Sequence, residues 1–154
     1  MFKTTVKIKT NTKTWDKMAR NLKRNNYINR VGFFGGSNKG IPIPLIAAWQ
    51  EEGTVHIPAR PFIRIGFIGE IKSSNFLDKY IPLVDNIAKG GMTWGQLNSS
   101  MSKDLQDLMQ KQIIQWKSPR NAPSTIRKKG FDDPLIETGK MFDSVEVRLS
   151  RRRK

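Results

Sequence analysis

The side chains that could support catalysis or metal binding are few in this sequence, and their spacing suits neither task. The only histidine, His56, lies between Val55 and Ile57 and has no second histidine with which to form a zinc site. Glu51 and Glu52 are adjacent, so on a helix they would point in different directions and would not form an acid–base pair. The absence of cysteine excludes disulfides and thiolate metal ligands. We therefore predict that the protein is not an enzyme and holds no metal or cofactor.

Two other patterns could carry chemistry, and a turn or loop explains each of them better. The pair Asp132-Asp133 precedes a proline, as turn residues often do, although these two carboxylates could also bind a cation weakly. The glycine-rich stretch 35–40 lacks the Gly-Lys-Ser/Thr ending that binds nucleotide phosphates, so we predict a mobile loop. A metal-dependent nuclease is therefore the weakest hypothesis for the function of this chain. A lack of cleavage with Mg²⁺ or Mn²⁺ would exclude it.

Charge is the strongest signal in the composition. The chain has 28 Lys and Arg against 13 Asp and Glu, a formal net charge of +15. Residues 1–40 carry +9 and residues 101–154 carry +6, whereas residues 41–100 are neutral. Basic ends indicate contact with nucleic acid or an acidic protein, although a solvated surface explains them equally well. The candidate contacts for phosphate or an acidic partner are Arg151, Arg152, Arg153 and Lys154.

The hydrophobic pattern predicts one α+β domain over residues 1–149, followed by a basic C-terminal tail over residues 150–154. Apolar residues spaced three and four positions apart predict amphipathic helices, and the longest of these helices begins after Thr93. Another helix begins near Glu70, and Pro82 should kink or divide it. We expect a mainly antiparallel sheet of about four strands packed against these helices. Alternating apolar residues predict the strands Phe2–Ile8, Ile28–Phe34, Ile63–Phe67 and Val145–Leu149.

The segment Leu45–Phe67 has the most specific local pattern in the chain. It predicts a short helix that ends at Gly53, then a rigid bend over residues 58–61, and then a strand. Prolines lower the entropy that a segment loses when it is ordered, and Arg and Phe are common interface anchors. We therefore predict a stiff corner for assembly, with a conventional tight turn into a core strand as the alternative.

Two blocks of the sequence carry motifs that occur together in a known family. The first block combines Trp-Gln-Glu-Glu-Gly-Thr in residues 49–54 with Ile-Pro-Ala-Arg-Pro-Phe-Ile-Arg in residues 57–64. The second combines a Pro-Ser-Thr-Ile loop in residues 121–130 with Pro-Leu-Ile-Glu-Thr-Gly-Lys-Met in residues 134–141. In order and spacing, with a long helix between them, these blocks resemble the tail-completion or neck proteins of long-tailed bacteriophages. The resemblance covers roughly residues 31–149.

This resemblance implies a non-enzymatic virion protein that assembles as a ring, usually of six copies, where the tail meets the head connector. The implied partners are further copies of the chain, the tail terminator or tail tube protein, and the head-completion or connector protein. DNA in the channel is a further candidate. The implied location is the neck or tail end of the virion, after synthesis in the cytoplasm of the host bacterium. The candidate interface residues are Trp49, Glu52, Arg60, Phe62, Arg64, Thr138 and Lys140.

For Arg60, these expectations predict that replacement by Ala leaves a folded monomer and reduces the number of joined particles. The alternative function is a small basic nucleic-acid-binding protein. A nucleic-acid surface needs exposed aromatic side chains among basic groups. Phe33 and Phe34, beside the glycine-rich stretch, are neighbours, so one of them should face outward. Salt-sensitive binding of the monomer to duplex DNA would favour this alternative. No apolar run approaches the ~20 residues needed to cross a bilayer, so we predict no membrane partner.

Overall fold

The predicted α+β class is confirmed in a computed structural model that describes residues 12–73 and 75–151. The strands in these residues form two antiparallel pairs, which are covered by helices. The helices are α1 (Thr12–Lys23), α2 (Ile43–Glu52), α3 (Ile68–Ser73), α4 (Ile81–Lys89), α5 (Trp94–Gln115), α6 (Pro123–Lys129) and α7 (Lys140–Asp143). The strands are β1 (Tyr27–Phe33), β2 (Ser37–Asn38), β3 (Ile41–Pro42) and β4 (Val145–Arg151). A π-helix covers Phe62–Phe67, and a 3-10 turn covers Asp78–Tyr80. No described helix is long and apolar enough to span a membrane.

The larger sheet pairs β1 with β4, which confirms the strands predicted at residues 28–34 and 145–149. Val31 lies opposite Val147, and both side chains pack against the main hydrophobic core. β-branched pairs of this kind stabilise antiparallel strands. The predicted strand at residues 2–8 lies outside the described residues.

The boundary predicted for the basic tail is wrong by two residues. Strand β4 continues through Ser150 to Arg151, which lies opposite Tyr27. The guanidinium carbon of Arg151 lies 5.5 Å from the centre of the Tyr27 ring, so a cation–π contact holds this end of the strand. Residues 152–154 lie outside the described residues.

The second sheet is a small hairpin, β2–β3, in the glycine-rich stretch that the sequence predicts to be a mobile loop. Lys39 and Gly40 join its strands, and both have positive φ, at 52° and 80°. Two central residues with positive φ form the turn that matches the twist of a tight hairpin. The four strands are therefore divided between two sheets instead of forming one.

The strand predicted at residues 63–67 is wrong, because the chain forms the π-helix there. Phe62 and Phe67 are buried at 0% and 7% exposure, whereas Ile65 between them is 62% exposed. Five alternating residues match a strand and a single wide helical turn equally well, so periodicity alone does not distinguish them. A Cβ on Gly66 would lie 2.8 Å from Gln112 Oε1, so glycine lets this helix approach α5 closely.

Helix α5 is the centre of the core, and its predicted start is confirmed. Thr93 Oγ1 accepts a hydrogen bond from Gln96 N at 3.2 Å, while Gln96 Oε1 accepts one from Thr93 N at 2.9 Å. This reciprocal arrangement is a capping box. The predicted division of the helix that begins near Glu70 is confirmed too: α3 ends at Ser73, and α4 begins at Ile81 with Pro82 in its first turn. The buried residues around α5 are Ile43, Ala47, Phe62, Phe67, Leu105, Met109, Ile113, Leu135, Met141 and Val145.

Candidate docking corner

The candidate site is the corner, which we define as residues 49–66, joining α2 to the π-helix. A buried carboxylate braces it from the inside. Glu51 is 8% exposed. Its Oε2 accepts a hydrogen bond from Ile63 N at 2.8 Å, and its Oε1 accepts one from Arg64 N at 2.9 Å. The first amides of a helix have no partner within the helix, so this carboxylate caps the π-helix.

A buried arginine braces the corner against a distant loop. Arg60 is 4% exposed. It donates from Nη1 to Gln50 Oε1 at 2.6 Å, from Nε to Pro119 O at 3.0 Å, and from Nη2 to Arg120 O at 3.3 Å. Nη2 also lies 3.4 Å from Asn121 Oδ1. The planar guanidinium therefore ties α2 and the corner to the loop that precedes α6.

The surroundings of the Arg60 guanidinium are polar but mostly uncharged. All four of its acceptors are amide or carbonyl oxygens. Burial lowers the pKa of Arg60, and the nearby charge of Asp132 partly opposes that change. An arginine stays charged under these conditions. Its hydrogen bonds therefore compensate for the cost of removing the cation from water.

Gly53 and Thr54 shape the loop between the two braces. Gly53 has φ of 79°, and a Cβ there would lie 2.8 Å from Ala59 N, so only glycine fits this close approach. Thr54 Oγ1 accepts hydrogen bonds from His56 N at 3.2 Å and from Ile57 N at 3.0 Å. The Gly-Thr pair of the first block thus has a structural role in folding residues 53–59 back on α2.

Asp132 holds the loop that receives Arg60. Its Oδ2 accepts from Arg120 Nε at 2.5 Å, and its Oδ1 accepts from Asn121 N at 3.1 Å. These hydrogen bonds hold the pKa of the Asp132 carboxyl below its usual value. The neighbouring Asp133 pairs with Lys117 instead. The predicted turn at residues 132–133 is therefore a structural anchor for the second block.

This anchor predicts an acid-sensitive component of stability. Because the pKa of Asp132 is lower in the folded chain, its contribution is complete above the unfolded-state pKa of 3.8. That contribution should decrease as the pH falls from that value through the lower folded-state pKa. Urea unfolding at a series of pH values should show a weaker acid dependence in Asp132→Asn than in the wild type. Equal dependence in both proteins would contradict the assignment.

The outer surface of the corner is apolar and close to one exposed ion pair. Val55 is 95% exposed and Ile65 is 62% exposed. Arg64 Nη1 lies 3.4 Å from Glu52 Oε1, which links the π-helix to α2 on the solvent side. Exposed pairs of this kind contribute little to stability. These residues are therefore available for contacts with another protein.

The structure divides the predicted interface residues of the first block. Glu52 and Arg64 are exposed, and Trp49 is half-buried, so these three are accessible. Arg60 and Phe62, which we expect at or supporting an interface, are buried, so their side chains can support the corner from inside but are not presented for direct contact. An arginine in a proline-bracketed bend suggested a surface position, but its acceptors are distant in sequence and could not be foreseen.

The predicted residues of the second block lie next to the corner. Thr138 and Lys140 are exposed and line a small cavity of about 80 Å³ together with Gln50. Gln50 and Glu51 were not predicted as site residues. Ile43, Ala47 and Glu51 are spaced four positions apart, which puts the Glu51 carboxylate on the buried face of α2. This spacing could have predicted the burial of Glu51 from the sequence.

His56 lies in a groove of about 330 Å³ between the corner and α6. Its side chain is exposed, and the groove is also lined by Arg60, Lys129 and Glu137. Among the described residues, no group of three His, Cys, Asp or Glu could hold a metal ion. The groove therefore adds a basic, open surface to the corner.

Comparison with known proteins gives no relative: no protein-family model, no curated protein and no solved structure matches this chain.

Proposed function

We propose that this chain is a structural virion protein of a tailed bacteriophage, a tail-completion or neck component that joins the tail to the head connector. The proposal includes assembly into a ring, of six copies by the resemblance, that contacts a tail terminator or tail tube protein and a connector protein. It also includes a location at the neck or tail end of the virion after synthesis in the host cytoplasm. No catalytic role is part of it.

The contact between the two sequence blocks is the observation that carries this proposal. Arg60, from the first block, donates to Asn121 Oδ1 in the second at 3.4 Å and to the carbonyl of Pro119 beside it at 3.0 Å. Residues of the two blocks that are 61 positions apart thus contact each other, and the two blocks form one structural unit. Their joint occurrence is explained if both are needed to build a single corner.

The way the corner is braced supports a docking role. Glu51 and Arg60 are both buried, so the charges that fix the corner are not available for contact. Outside, Val55 and Ile65 present apolar side chains, and hydrogen bonds from the neighbouring backbone to Thr54 and Glu51 fix the segments that carry them. A preorganised surface loses less conformational entropy on association, which favours assembly. Glu52 and Arg64 supply a polar rim that can select the partner.

Replacement of Ile65 by Glu tests this docking surface. The side chain is 62% exposed, so the free energy of unfolding of the variant should lie within about 0.5 kcal/mol of the wild-type value. A charge in the middle of an apolar contact costs several kcal/mol, so complementation of a phage that lacks the gene should give at least about tenfold fewer joined particles. Electron microscopy should show tails and heads unjoined.

The matched control is Ile81→Glu. Ile81 is 65% exposed and lies on α4, which packs against α1. This variant carries the same new charge at a site of similar exposure, and particle yield should stay near the wild-type value. Normal yields from Ile65→Glu, or an equal loss from Ile81→Glu, would contradict the proposal. The proposal would also be contradicted if electron microscopy of wild-type particles placed the chain away from the head–tail junction.

A further inference from the structure

A second site lies away from the corner, in a cleft of about 440 Å³ where α1 ends, β1 begins and α5 begins. Its walls are fixed by hydrogen bonds between elements. Trp94 Nε1 donates to Asn21 O at 3.0 Å, and Asn21 Nδ2 donates to Ala88 O at 3.2 Å. Cavities of this size are typical of sites for small ligands or for one unit of a polymer.

The lining combines two arginines with two aromatic rings. Arg24 and Arg151 line the cleft, and so do Tyr27 and Trp94. Arg151 packs over the Tyr27 ring and donates from Nη2 to Tyr27 Oη at 3.3 Å. Among the described residues that line the cleft, none is acidic. Within the described chain, neither arginine has a carboxylate partner at ion-pair distance.

This combination selects among anionic ligands. Guanidinium groups bind phosphate through paired hydrogen bonds, with directional specificity that an ammonium group lacks. Aromatic side chains beside a basic groove are the usual means of holding the bases of an unpaired strand. The carboxylates of an acidic peptide would use the arginines but would not stack on the rings of Tyr27 and Trp94, whereas every nucleotide carries both a phosphate and a planar base.

We propose that this cleft binds a single-stranded segment of nucleic acid, with phosphates on Arg24 and Arg151 and a base against the aromatic wall. The inference does not depend on ring assembly or on the docking corner, because none of the corner residues lines the cleft. The arginines supply affinity through phosphate. The limited volume favours an unpaired strand over a duplex.

Binding of the full-length protein to a fluorescent single-stranded oligonucleotide of about 12 nucleotides tests this inference. We expect salt-dependent binding that weakens by about tenfold or more in Arg24→Ala/Arg151→Ala. Each phosphate contact contributes about 0.7 to the slope of log affinity against log salt for single strands, so losing two should reduce the slope by about 1.4. The control Arg30→Ala/Arg127→Ala removes two exposed arginines outside the cleft and should change affinity by less than about threefold.

The outcomes distinguish this site from general attraction to a basic protein. Equal losses in the two double variants would show diffuse attraction and overturn the proposal, as would no binding at low salt. A duplex of the same length should bind more weakly than the single strand; equal or tighter duplex binding would overturn the assignment. The proposal would also be overturned if a nucleoside monophosphate or polyglutamate competed for the site as effectively as the unlabelled strand. Loss of particle joining in Ile65→Glu with normal strand binding would separate this site from the docking corner.

Discussion

Arg60→Ala should destabilise the folded chain by about 3 kcal/mol, because it removes a buried cation that bridges α2 and the loop at residues 119–121. At least two acceptors, Gln50 Oε1 and the carbonyl of Pro119, would lose a hydrogen bond in a partly buried environment. For a chain of this length, that loss corresponds to a Tm lower by about 6–12 °C. Urea unfolding followed by tryptophan fluorescence measures the loss in the free energy of unfolding.

The sequence predicts that Arg60→Ala leaves a folded monomer and reduces the number of joined particles, and the burial of Arg60 adds to this a loss of stability. The matched control is Arg64→Ala, which removes the same charged group from the same segment. The Arg64 side chain is 60% exposed and its ion pair is 3.4 Å long, so its loss should cost no more than about 0.5 kcal/mol. If Arg60→Ala unfolds at the same urea concentration as Arg64→Ala, the bracing role is wrong.

Glu51→Gln should destabilise the chain by about 1.5–3 kcal/mol, because charged hydrogen-bond acceptors contribute more than neutral ones. The carboxylate accepts from two backbone amides, Ile63 N and Arg64 N. An amide side chain of the same size has one oxygen, so one of these amides would lose its acceptor and face an NH₂ group. Amide hydrogen exchange should accelerate most at residues 63 and 64, which is a local effect that a general loss of stability would not produce.

Glu52→Gln is the control for this variant. It removes the same charge from the adjacent residue, so the net charge of the two proteins is identical. The Glu52 side chain is 66% exposed, and the loss of its surface ion pair should cost no more than about 0.5 kcal/mol. Equal Tm values for the two variants, or unchanged exchange at Ile63 and Arg64 in Glu51→Gln, would refute the capping role.

Local sequence patterns predicted most of the helices because the relevant signals are short in range. The capping residue Thr93 and the position of Pro82 depend on neighbours within one or two turns, and both had the predicted effect. The π-helix was missed because its start is capped by Glu51, which lies 12 positions before Ile63. Five residues with alternating polarity carry no information about such a partner.

The candidate corner was located by its residue types, but the orientation of its side chains was not. An arginine between two prolines has no periodic context that assigns it to the interior. Its acceptors, Pro119 O and Arg120 O, are backbone carbonyls 59 and 60 positions away, and backbone carbonyls leave no mark in the sequence. Glu52 and Arg64 are exposed, as charged side chains usually are. Burial of Arg60 and Phe62 required the tertiary structure.

The pairing of β1 with β4 has a consequence for synthesis of the chain in the cell. Tyr27 and its partner Arg151 are separated by 124 positions. At roughly 5–20 residues per second, β1 therefore emerges from the ribosome roughly 6–25 s before its partner strand exists. During that interval the edge of β1 that later pairs with β4 has no partner strand, so nascent chains stalled before residue 145 should be prone to association.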